Sequence, residues 1–298
     1  AGTTGLQIRE RLAGREDIAL VQVDPARRKD ADARRAAMAE AEVAILCLPD
    51  AAARDSVALA EGLPVRFIDA STAHRVADGW TYGFPELSAE TRAAIPGARF
   101  VANPGCYATG AISILRPLTE QSVLKKDFPL TLHAISGYSG GGKKLIEEME
   151  DQTAPLQLPF FTYSLQLNHK HSPEIKKHSL LEHTPFFLPS VGYFRQGLIV
   201  NLPLTSLHMQ KRYNAKDLFD IFTAHYHSEK AIILAPLEEA SSKIRINPQE
   251  LKDTDKLKIY IFENKREDFI LICAVLDNLG KGAAGAAIQN LQLLLQNT

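Results

Sequence analysis

The chain has 298 residues, 45% hydrophobic and 23% charged, which is more than one core ordinarily serves, since single hydrophobic cores stop growing near ~250–300 residues. Its 34 basic and 35 acidic side chains leave a net charge of -1, which excludes the global field that gathers nucleic acid or an anionic membrane surface. No apolar run approaches the ~18–20 residues that span a bilayer, and Ala1-Gly2-Thr3-Thr4-Gly5 has neither the basic nor the apolar region of a signal peptide, so a cytoplasmic protein is expected.

From the start, Gly2-Thr3-Thr4-Gly5 leads straight into a helical stretch at 6–12. These residues are expected to form a tight turn that offers helix N-terminal N–H groups to a phosphate. They make up the second half of a glycine-rich dinucleotide fingerprint, and the chain begins where the first strand of such a unit would already have ended. Residues 18–23, 43–48 and 65–69 read as strands and 33–40 and 51–61 as helices, the alternation of a parallel α/β sheet. Asp24-Pro25-Ala26-Arg27-Arg28-Lys29 closes the first of these strands, about 20 residues past the glycines, where a dinucleotide enzyme reads the ribose. The guanidinium forks of Arg27 and Arg28 suit a 2′-phosphate, so NADP(H) is preferred over NAD. A solvated charge run is the competing reading.

Next, Asn103-Pro104-Gly105-Cys106-Tyr107 follows an apolar stretch at 100–102 and opens a helix predicted to run until Pro117. A thiol on the first turn of a helix feels unpaired N–H dipoles that favour the nucleophilic thiolate. Cys47 and Cys273 lie instead inside apolar strand-like runs and read as buried core thiols. A strand at 130–136 leads into Ser136-Gly137-Tyr138-Ser139-Gly140-Gly141-Gly142-Lys143-Lys144, before a helix near 143–150. This loop matches the G-x-S-x-G elbow of a serine hydrolase with Ser139 as nucleophile, and also the G-x-x-x-x-G-K of a phosphate loop. The phosphate loop lacks the Ser or Thr that holds magnesium, because Lys144 stands there. A flexible glycine loop, Gly137 included, that passes close to a cofactor or substrate phosphate satisfies the same residues.

Asn168-His169-Lys170-His171-Ser172-Pro173-Glu174 supplies two imidazoles and a carboxylate. Acyl transfer to a thiolate needs a proton-transfer partner, and either His169 or His171 serves. A metal site that adds His178 and His183 is the rival, disfavoured because zinc sites bring Cys or acidic ligands at recognisable spacings, so no metal is expected. His133 and His208 read as structural. Helices near 173–181 and 215–227 alternate with longer β-rich runs at 198–204, 257–263 and 269–277, which predicts an α+β second domain with a mainly antiparallel sheet. The last segment, 282–296, carries Ala283, Ala287, Leu291, Leu294 and Leu295 in a helical stripe expected to pack on the first domain. The division is therefore a Rossmann-type domain at 1–105 with 282–298 and a catalytic and dimerisation domain at 106–281.

Together, Gly2–Gly5, Asn103-Pro104-Gly105-Cys106-Tyr107, Ser136-Gly137-Tyr138-Ser139-Gly140, the His169–Glu174 run and Asp277-Asn278-Leu279-Gly280-Lys281-Gly282-Ala283-Ala284-Gly285 resemble the N-acetyl-gamma-glutamyl-phosphate reductases. These belong to the wider semialdehyde dehydrogenase group, and the likeness, to the shorter of two forms, spans nearly the whole chain. It implies that NADPH reduces N-acetyl-L-glutamyl 5-phosphate to the semialdehyde in arginine biosynthesis, with release of phosphate and through a thioester on Cys106. It implies His169 as the acid/base partner, with Glu174 orienting it. Ser71 and Asn278 fall where that family holds its cofactor, while Asn103, Ser136, His171 and Arg195 fall on the substrate side; a guanidinium such as that of Arg195 takes a carboxylate or phosphate bidentately. The group implies a homodimer or homotetramer acting on a small acyl phosphate. The alternatives are a sister reductase of aspartyl phosphate or an aminoadipyl derivative and, from another class, the Ser139 hydrolase.

Overall fold

The computed structural model describes residues 2–151, 153 and 158–296. They fall into two compact units, one formed by Ala1–Pro85, Ala89–Pro104 and Ala283–Thr298, the other by Glu86–Ser88 and Gly105–Gly282. Among the described residues no helix is long and apolar enough to cross a membrane.

In the first unit, α1 (Thr3–Leu12) and α2 (Ala31–Glu40) precede β1 (Val43–Leu46), α3 (Asp50–Leu59), β2 (Arg66–Asp69), β3 (Thr81–Tyr82), α4 (Ala89–Ala94) and β4 (Phe100–Ala102). Asp30 starts α2 by accepting the Ala33 N–H at 2.7 Å, an N-terminal cap of the usual kind. The strands form a four-stranded sheet in the order β1-β2-β4-β3, parallel throughout. The C-terminal helix, Gly285–Leu295, gives Leu291 and Leu294 to one core with Ile8, Leu12, Ile68 and Val101. One expected strand is absent: 18–23 is irregular, with Leu20 and Val21 exposed. A strand requires a ladder partner, and 18–23 pairs with none among the described residues, although β1, at the end of the sheet order, is paired on one side alone.

The second unit begins with α5 (Cys106–Glu120) and β5 (Thr131–Gly137), followed by α6 (Gly142–Glu150), β6 (Phe160–Thr162), α7 (Ser172–His178), β7 (Phe186–Gly192) and β8 (Leu198–Thr205). It continues through α8 (Ala215–Tyr226), β9 (Ile232–Leu234), α9 (Leu237–Ser242), β10 (Leu257–Asn264) and β11 (Phe269–Leu276). The seven strands lie in the order β6-β7-β5-β8-β11-β10-β9. Only β5–β7 and β9–β10 are parallel, so the sheet is mainly antiparallel. Strand β7 carries Pro189 at its centre, a residue with no N–H for a ladder, and still pairs with β5, Pro189 beside Ala134.

Helix α5 does not stop at Pro117 but continues to Glu120. Proline has no N–H to give the carbonyl four residues back, so a helix that continues through it leaves that acceptor without its usual donor. Here the acceptor is Ser113 O, and the Tyr226 hydroxyl of α8 donates to it at 2.7 Å. Tertiary structure thus replaces the lost helical bond.

Candidate active site

Gly105 caps α5 and Cys106 is its first residue. The Gly105 N–H donates to Glu174 Oε1 at 2.9 Å, so the carboxylate from α7 holds the cap on which the thiol stands. Thr109 closes the first turn from inside, its N–H and hydroxyl both reaching Gly105 O. Cys106 is half-buried. Burial pushes the other two thiols up, Cys47 to about 11 with the Asp69 charge adding to the effect and Cys273 to about 12.

The imidazoles gather around Tyr107, whose ring stands edge-on to His169 at 5.8 Å and to His171 at 6.0 Å between centroids. The Tyr107 hydroxyl donates to Ser190 O at 2.7 Å. His169 is buried, and its Nδ1 accepts the backbone N–H of His171 at 3.1 Å. A backbone N–H only donates, so Nδ1 is bare and Nε2 carries the proton of the neutral ring. That nitrogen faces the Tyr163 hydroxyl at 3.1 Å. Burial, with Cys106 beside it, holds the Tyr163 hydroxyl well above the usual tyrosine range, so it is a proton-bearing group near the thiol. Tyr163 had no sequence signal: it stands in no motif, and only folding brings it to His169.

The loop after β5 is fixed by close backbone contacts. A Cβ on Gly137 would lie 2.6 Å from Arg195 O, so only glycine permits this approach. Tyr138 and Ser139 donate their N–H groups to Phe194 O and Arg195 O, and the buried Ser136 hydroxyl donates to Gly137 O. Asn278 ties the loops together, accepting the Gly197 N–H at 2.7 Å and donating to Ser139 Oγ at 2.9 Å. An amide that donates cannot take a proton, so Asn278 is not the base a serine nucleophile at Ser139 needs. Arg195 is exposed and paired with Glu150, whose carboxylate also accepts from the Tyr138 hydroxyl. Gly282 packs on Cys106, since a Cβ there would sit 2.8 Å from Cys106 Cβ.

In the first unit, α1 begins at Thr3 with Gly2 as an N-cap that supplies no side-chain acceptor. Leu6 makes the first helical bond, to Gly2 O, so the amides of Thr3, Thr4 and Gly5 have no intrahelical partner. Nothing lies within 4 Å of where a Gly2 Cβ would be. Helix N-terminal amides without an intrahelical partner suit an anion such as a phosphate. Arg27 pairs with Asp30 at 3.1 Å on the exposed surface, and Arg28 is exposed beside it. At the carboxyl end of β2 the fully buried Asp69 accepts from Ser71 N–H, the Ser71 hydroxyl and His74 Nδ1. His74 in turn stacks on Trp80 at 4.0 Å. Asn103, at the end of β4, donates to Ala283 O and accepts from Asn290, so its amide is engaged within this unit. Among the described residues no three His, Cys, Asp or Glu side chains sit together to hold a metal ion.

A family model described as semialdehyde dehydrogenase, dimerisation domain, matches residues 106–278. The chain is 46% identical over 297 residues to the N-acetyl-gamma-glutamyl-phosphate reductase of Rhizobium meliloti (strain 1021), covering 99% of this chain and 96% of that one. It is 45% identical, with the same coverage, to the reductase of that name from Brucella anthropi. Among solved structures, aspartate semialdehyde dehydrogenase II of Vibrio cholerae complexed with ASA superposes with a TM-score of 0.73 at 15% identity, covering 100% of this chain and 96% of that one. Aspartate semialdehyde dehydrogenase from Francisella tularensis gives 0.70 at 12% identity, with 99% and 97% covered. At such identities these structures share the fold alone.

Proposed function

The chain belongs to the N-acetyl-gamma-glutamyl-phosphate reductases, within the semialdehyde dehydrogenases, and on that premise we propose that it reduces N-acetyl-L-glutamyl 5-phosphate to the 5-semialdehyde through a thioester on Cys106. The observation that carries the chemistry is the place of Cys106 on the first residue of α5, where the helix dipole favours negative charge on sulfur. Cys106 Sγ attacks the acyl carbon, the C–O bond to phosphate breaks, and phosphate leaves. Bound NADPH supplies the hydride that reduces the thioester.

His169 and Tyr163 form the proton-handling pair: Nε2–H and a phenol held protonated stand next to each other, ready to protonate the oxygen that gains charge and to take the proton back when sulfur leaves. His171, Ser136, Asn103 and Arg195 are assigned to the substrate; Glu150 pairs with the Arg195 guanidinium as a substrate carboxylate would. Glu174 acts through the Gly105 cap. For the cofactor, the amides of Gly2, Thr3, Thr4 and Gly5 would meet the pyrophosphate, Arg27 and Arg28 the 2′-phosphate that makes it NADP, and Ser71 the ribose side. Gly137 and Asn278 are assigned to the cofactor as well. On this reading the first unit binds the dinucleotide and the second carries catalysis and self-association.

The test is NADPH oxidation, followed by absorbance, by wild type and Cys106→Ser. With N-acetylglutamyl phosphate we expect turnover that Cys106→Ser abolishes, and none with aspartyl phosphate. Turnover of aspartyl phosphate instead would move the substrate and keep the mechanism; full activity in Cys106→Ser would end it.

A further inference from the structure

The second unit contains a charged pair that the thioester chemistry does not use. Lys281 Nζ lies 2.8 Å from each carboxylate oxygen of Glu86, with the side chains 1% and 0% exposed. Two ions withdrawn from water lose more hydration than their attraction returns, and apolar residues of similar volume often replace such pairs without loss of stability. Stability is therefore a poor account of why the pair is there.

Its surroundings offer a better one. Lys281 lies in the π-helical turn Gly280–Ala284, and the next residue is Gly282, which packs on Cys106. The Gly282 N–H closes the turn on Asp277 O at 2.9 Å. The other partner is felt where α8 braces the nucleophile's helix: after burial, the Glu86 charge is the largest influence raising the Tyr226 hydroxyl, and that hydroxyl donates to Ser113 O of α5. The pair thus anchors the turn that packs on the thiol. A bidentate contact fixes both distance and direction, whereas apolar partners leave a turn free to slide.

We propose that the Glu86–Lys281 pair is a positioning device for Cys106: it sets the height of the Gly282 turn against the thiol, and so the orientation of Sγ, without touching substrate. This rests on Cys106 being the nucleophile, as proposed above.

The experiment compares the full chain as wild type, Lys281→Met/Glu86→Leu, and Glu86→Asp, which keeps the ion pair but shortens one arm. Per-cysteine alkylation by iodoacetamide is followed by mass spectrometry over a pH series, beside kcat, KM and the thermal midpoint. We expect the double variant to fold, with its Cys106 alkylation profile displaced along the pH axis and kcat lowered on the order of 10-fold or more at nearly unchanged KM. Glu86→Asp should move both in the same direction by less. A folded double variant with the wild-type alkylation profile and kcat would overturn the proposal. If the double variant does not fold, Glu86→Asp decides: a displaced profile supports it and a wild-type profile overturns it. Alkylation needs neither substrate nor cofactor, so failure of the reductase reading, seen as activity retained in Cys106→Ser, is distinguishable from failure of this one.

Discussion

Cys47, Cys106 and Cys273 carry the same thiol in three environments. Burial pushes Cys47 to about 11 and Cys273 to about 12, so at neutral pH almost none of either is thiolate, the form that alkylates. Cys106, on a helix N-terminus, is expected to alkylate at least ~100-fold faster than either; equal rates at the three would remove the thiolate argument. The raised thiols also fix a sign. Their folded values exceed the ordinary one, so the folded state holds these protons longer, and their contribution to stability is lost as pH climbs toward about 11 and 12. Denaturant titrations through the alkaline range should show that fall, and Cys273→Ala should reduce it. Glu174 invites a finer comparison. Glu174→Gln keeps an oxygen for the Gly105 N–H, whereas Glu174→Ala strands a buried donor at a cost of about 1–3 kcal/mol; urea unfolding of the pair measures the difference.

At the scale of elements, α5 makes the sharpest case. Tyr226→Phe removes the donor that serves Ser113 O at the proline gap, and we expect it to lower stability by about 1–3 kcal/mol while leaving KM unchanged. A thermal midpoint equal to wild type would show that the gap needs no outside donor. That helix also shows where sequence reading reaches. Its start was legible from Asn103-Pro104-Gly105, because an N-terminal turn is a local event. Its end was not, because Pro117 is tolerated only through a tyrosine on another helix. Residues 18–23 failed in the opposite way: the local pattern was that of a strand, and pairing, which is not local, is absent among the described residues. In the candidate site the histidine pair and the cysteine were visible as motifs. Tyr163, the Glu174 bond to Gly105 and the stack of His74 on Trp80 were not, since each is a meeting between segments that no spacing encodes. Gly137 was visible as a glycine, but the reason for it, the carbonyl of Arg195, was not.

For the whole molecule, the face of the seven-stranded sheet that carries Phe269, Leu271 and Phe186 leaves these large apolar side chains exposed. Leu271 is registered beside Pro203, and Cys273 beside Asn201. Large apolar side chains exposed on one sheet face mark association, and the match of this unit to a dimerisation domain points the same way. Leu271→Asp should shift the mass measured by light scattering toward the monomer; an unchanged mass would place the contact elsewhere. The path of the chain has a consequence of its own. The first unit is built from segments that precede and follow the second in sequence, and Leu291 and Leu294 complete the core begun by Ile8 and Leu12. The order of synthesis is therefore not the order of completion. Residues 105–282 hold all seven strands of their own sheet and can close without the helix Gly285–Leu295. The segment before them must wait, its apolar faces uncovered, until that helix is in place. A chain that stops just before Gly285, free of the ribosome, should accordingly protect the second unit from protease and leave the first one open to it.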